Sequence, residues 1–96
     1  MKREKVKALV NQAINQATQH LAGARDASLP AFLDAQVVRF LDHLREMQTY
    51  LESSANKPPP SKAMAFAIAD GWPIESELGK MICAAERAYD SLATHT

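Results

Sequence analysis

Between Leu29 and Ser53 the large apolar residues Leu33, Val37, Phe40, Leu44, Met47 and Leu51 recur at intervals of 4, 3, 4, 3 and 4. An α-helix puts all six on one face, whereas a strand scatters them over both. The spacing predicts a helix over 29–53. Ser28 is placed to cap it, and Pro30 sits in the first turn, where its missing N–H costs nothing. A similar pattern precedes it. Val6, Val10, Ala13, Ile14, Ala17 and Leu21 predict a helix over 2–24, stopped by Gly23. Alanines on that stripe let a neighbouring helix come close. Its opposite face carries Asn11, Gln12, Asn15, Gln16 and Gln19, a solvated amide surface.

The pattern breaks at SSANKPPPS, residues 53–61. Three consecutive prolines forbid helix and favour an extended connection, so 54–61 is read as a linker. Ser61 can cap a short helix over 62–70, closed by Gly71. Here Met64, Phe66 and Ile68 alternate with Ala63, Ala65, Ala67 and Ala69, which is strand periodicity. The helix preference of alanine, and the absence of a partner strand elsewhere in the pattern, decide for helix. Trp72 and Pro73 then turn the chain. Pro73 is expected to open a helix over 73–93, with Glu75 and Glu77 at its positive end. Ile74, Leu78, Ile82, Ala85, Tyr89 and Leu92 form its apolar stripe. Gly79 costs that helix up to ~1 kcal/mol relative to alanine, and marks a close helix crossing.

The expected fold is all-α. It is one domain over 1–96, a small helical bundle of three long helices plus one short helix. Composition adjusts this picture slightly. Lys plus Arg number 11 and Asp plus Glu number 11, so the formal net charge is zero. Such a chain has no overall pull towards nucleic acid or anionic lipid. It also has little charge repulsion against its own copies, and with the heptad seam of 29–53 this permits a homodimer. One cysteine excludes an internal disulfide. The opening MKREKVK is basic like the start of a signal peptide, but Asn11, Gln12, Asn15 and Gln16 interrupt the apolar run that would have to follow. No run approaches the ~20 apolar residues of a membrane span. No membrane association and a cytoplasmic location are expected.

Chemistry is hard to find. His20, His43 and His95 fall on different parts of the chain, and only His43 with Glu46 approaches a ligand pair. Cys83 lies mid-helix between Ile82 and Ala84 with no base on its own helix, and reads as a small hydrophobe. Gly23, Gly71 and Gly79 are too scattered for a phosphate loop. Asp42 with Glu46, and Glu86 with Asp90, read as solvated pairs on exposed faces. No catalytic residue, cofactor or metal ligand is nominated, and the chain is not expected to be an enzyme. The segments around Gly71 resemble a helix-turn-helix outline, but Glu75 and Glu77 would meet phosphate where that motif enters the groove.

Surface for other proteins remains. Beside the core stripe of 29–53 runs a second one: Leu29, Phe32, Gln36, Arg39, His43, Glu46 and Tyr50. It mixes aromatics with Arg and His, a composition enriched at interfaces. Phe32 and Tyr50 can also complete the core, and Trp72 can either fill its corner or anchor a partner. Leu29, Phe32, Gln36, Arg39, His43, Tyr50 and Trp72 are nominated as protein-binding residues. The expected function is a small non-enzymatic protein-binding regulator: an inhibitor, anti-activator, immunity protein or adaptor. It would mask a surface of a larger, unidentified protein through a helical face. The alternative is a nucleic-acid-associated regulatory protein using the basic segment Lys2, Arg3, Lys5 and Lys7.

Overall fold

A computed structural model describes residues 2–53 and 63–94. Four α-helices run in the order α1 (Lys2–Leu21), α2 (Asp34–Glu52), α3 (Met64–Gly71) and α4 (Glu77–Thr94). A single 3₁₀ turn, Ala31–Leu33, leads into α2. There is no strand among the described residues. The expected all-α bundle of three long helices and one short one is therefore observed, and the strand periodicity around Phe66 is overridden by helix. The expected linker 54–61, the cap at Ser61 and His95 lie outside the described residues.

The central element is α1, which packs along both α2 and α4, while α3 lies against α4. This position explains its composition. Ala13 and Ala17 are fully buried together with Val10, and small side chains let two neighbours approach one helix. The apolar spacing of α2 is realised in full: Val37, Phe40, Leu44, Met47 and Leu51 are buried and Leu33 packs against them. Leu78, Ile82, Ala85 and Tyr89 of α4 complete the core. Two aromatic pairs hold its ends. Phe40 stacks on Trp72 at 5.7 Å between ring centroids, and Tyr50 meets Tyr89 edge to face at 6.1 Å.

Helix ends depart from the simple reading where tertiary groups intervene. The first helix stops as expected at Gly23, which has φ of +120°. The Ala24 N–H reaches the Gln19 carbonyl and the Gly23 N–H reaches that of His20, a Schellman arrangement that needs a left-handed residue at this position. Ser28 does not cap α2. Its N–H and hydroxyl both donate to Asp26 Oδ1, at 3.0 and 2.6 Å. Pro73 does not open α4 either. A turn closed by Ser76 N–H to the Pro73 carbonyl intervenes, and the helix begins at Glu77. At the far end of α2, Arg3 donates to the carbonyls of Tyr50, Leu51 and Ser53 at 3.1, 3.2 and 3.4 Å. A cation there satisfies orphan carbonyls and complements the negative helix end. Its guanidinium also sits 5.3 Å from the Tyr50 ring centroid.

Gly79 is the close crossing its position suggested. A Cβ there would lie 3.2 Å from Ile68 Cγ2 and 3.2 Å from Trp72 Cε3. The missing side chain is what lets α3 settle on α4.

Candidate protein-binding surface

A network of polar side chains gathers at the loop after α1. His20, on the buried stripe of α1, is itself buried. Its Nδ1 accepts the Asp26 N–H at 2.9 Å, so its hydrogen resides on Nε2, which donates to Asp34 Oδ1 at 3.1 Å. Arg25 binds both oxygens of Asp34 at 2.9 Å. Asp26 in turn accepts from the Ser76 hydroxyl at 2.8 Å and the Leu78 N–H at 3.1 Å. The Ser76 oxygen accepts the Gly79 N–H at 2.9 Å, so Ser76 is the local cap of α4.

The charges follow from these bonds. Partial desolvation opposes ionisation of Asp26, but the hydrogen bonds from Ser28, Ser76 and Leu78 outweigh it and hold its carboxyl at about 2. Arg25, then His20, hold Asp34 at about 2. Histidine, serine and aspartates thus meet, yet not as a hydrolytic triad. The Ser76 hydroxyl faces Asp26 rather than His20, and both imidazole nitrogens are engaged. The network ties the loop after α1 to the starts of α2 and α4. Sequence reasoning missed it, although one signal was present: His20 continues the stripe of Ala13 and Ala17 at helical spacing.

Cys83 is half-buried, and burial pushes its thiol upward. No group of three or more His, Cys, Asp or Glu among the described residues is arranged to hold a metal ion. No helix among them is long and apolar enough to cross a membrane.

The nominated protein-binding residues separate into two sets. Leu29, Tyr50 and Trp72 are buried within the chain, where Tyr50 lies under Arg3 and Trp72 donates its indole N–H to Gln36 Oε1 at 2.6 Å. Gln36 and His43 are half-buried, and His43 Nδ1 is buried with no hydrogen-bond partner among the described residues. Phe32 and Arg39 face solvent. Phe32 is 80% exposed and Val38 46%. The stripe splits because other segments cover it unevenly: Trp72 meets Gln36, and Tyr89 and Arg3 meet Tyr50.

The solvent face at the start of α2 carries Ala31, Phe32, Ala35 and Val38, bordered by the partly exposed Asp34–Arg25 pair and by Arg39. The same face further along carries Asp42, Arg45 and Glu46. A single exposed hydrophobe is ordinary, but a contiguous apolar run with a charged edge is the pattern of an interaction surface. Comparison of the chain with protein-family models, with curated proteins and with solved structures finds no match in any of the three.

Proposed function

We propose that this chain is a small helical protein-binding regulator that masks a surface of a larger protein through the amino-terminal half of α2. One observation supports the reading: Ala31, Phe32, Ala35 and Val38 are all exposed on the outward side of this stretch, with Phe32 80% exposed, and the Asp34–Arg25 pair lies at their border. Phe32 is the anchor, Val38 widens the apolar contact and Arg39 supplies a polar edge. No chemical step is assigned to the chain. The alternative reading through the basic amino-terminal segment has less to draw on, because Arg3 is engaged with the end of α2. Pairing of two copies through the same apolar face is a companion proposal. A sedimenting monomer at tens of micromolar would remove it.

The test is affinity capture from the native cell with the wild-type chain and with Phe32→Asp, with mass identification of what is retained. A partner held by wild type and lost from Phe32→Asp supports the reading. A partner held equally by both overturns the assignment of this face.

A further inference from the structure

A second surface lies between α3 and α4. From α4, Gly79, Lys80, Cys83, Ala84 and Arg87 fall at i, i+1, i+4, i+5 and i+8, one face of the helix. From α3, Ala65, Ile68 and Ala69 fall at i, i+3 and i+4, and Trp72, just past its end, joins them. Together they enclose an open groove of about 450 Å³. Small residues keep its walls low, so a backbone can come close to both helices. Ile74, 92% exposed, stands at its edge.

The charge of this groove differs from that of the chain. The molecule is neutral overall, but the lining includes two cations, Lys80 and Arg87, and no acid. Lys80 reaches Glu77, outside the groove, only at 3.5 Å and on an exposed surface, a contact of little strength. Seven residues separate the two cations, which is ~10.5 Å along α4, or two helical turns. A second helix presents side chains at the same interval on one face.

We propose that the α3–α4 groove docks an acidic amphipathic helix of a partner protein. Its apolar side chains would lie over Ala69, Cys83 and Ala84, and two carboxylates seven residues apart would meet Lys80 and Arg87. This is helix-in-groove recognition, with the cations setting register and direction. The proposal rests on the reading of the chain as a protein-binding module but uses a different face from Phe32.

The experiment is selection of displayed helical peptides of about 15 residues on the intact chain, with counter-selection on the Lys80→Glu/Arg87→Glu double variant. Both side chains are on the surface, and far-UV circular dichroism confirms that the variant stays folded. Enriched peptides are expected to carry two acids at the i, i+7 spacing beside Leu, Ile or Phe. They should shift the fluorescence of Trp72, the single tryptophan, and shield Cys83 from a thiol reagent. The double variant should bind about tenfold or more weakly, and a peptide with lysines in place of its acids should restore binding to that variant. Failure to enrich any peptide, equal binding to both proteins, or unshielded Cys83 overturns the proposal. A wild-type dimer that the double variant cannot form also overturns it, by making a second copy the occupant. Phe32→Asp is expected to bind these peptides as wild type does, which tells failure of this groove apart from failure of the α2 face.

Discussion

The starts of α3 and α4 solve one problem in two ways. Every helix begins with N–H groups that have no partner within it. At α4 the solution is partly local: Ser76 caps its own helix, and Asp26 adds a second acceptor from the loop after α1. At α3 the acceptor seen among the described residues is distant in sequence. Ala63 precedes the helix in the left-handed region at φ of 54° and offers no side-chain cap. Glu86, a full helix away on α4, receives the Met64 N–H at 2.8 Å and the Ala65 N–H at 2.7 Å. Its side chain is buried, 3% exposed. One helix therefore carries a cap beside it in sequence, whereas the other receives the Glu86 carboxylate only on docking. The lesson is that α3 is a dependent element, held in place by α4 through a carboxylate and through the space at Gly79.

Changes at these two starts should separate in size. Glu86→Ala strands two donors in a buried site and removes a packed side chain, and should cost about 3 kcal/mol of unfolding free energy in urea denaturation. Glu86→Gln should recover part of that loss. Asp26→Ala should cost less, about 1–2 kcal/mol, because Asp26 is partly solvated and Ser76 still caps α4. If the two substitutions cost the same, the contrast between a dependent and a self-capped helix disappears.

Acid offers a milder version of the same test. Asp26 and Asp34 both have carboxyls held at about 2 in the folded chain, below their unfolded value. The unfolded state binds protons first as pH drops, so their contribution is complete above the unfolded value and is lost as pH falls towards about 2. Thermal midpoints followed by circular dichroism should therefore decline over that interval. Asp26→Ala should flatten the decline without abolishing it, since Asp34 remains.

Gly79→Ala gains helix propensity but pushes a methyl against Ile68 and Trp72, and should cost about 1 kcal/mol net. Gly79→Val should cost more. Arg3→Ala releases the end of α2 and one cation–aromatic contact, for about 0.5–1 kcal/mol. Phe32→Asp should change stability least, within about 0.5 kcal/mol, because its side chain touches mostly solvent. A large loss of stability there would mean that Phe32 belongs to the core, and would break the distinction between the covered and uncovered sides of α2.

Much of this fold was legible because helix periodicity is a local property of the sequence. The stripes of α1, α2 and α4 give those three helices and most of their buried residues, but they omit His20, Leu41, Tyr50 and Glu86 and include Ile74, which precedes α4 and is 92% exposed. Gly23 and Gly79 were readable for the same reason, since each records a backbone need at its own position. The nominated surface was only partly legible. Phe32 and Tyr50 occupy equivalent positions on one stripe, yet Phe32 faces solvent while Tyr50 lies against Tyr89 and Arg3. Periodicity places a residue on a face but does not say which faces other segments cover. Glu86 shows the same gap: i,i+4 spacing with Asp90 suggested a solvated pair, and only the arrival of α3 buries it.

The sequence by itself determined that this chain is helical, where its three long helices lie and which of their faces turn inward, because a 3.6-residue period and apolar burial act over a few turns. The tertiary structure decided what remained. It placed Glu86 at the start of α3, joined His20 to Asp34 and Asp26, set Trp72 over one side of α2 and left Phe32 bare on the other. Those pairings depend on which helices become neighbours, and groups separated by tens of residues meet only once the packed core has brought their helices together.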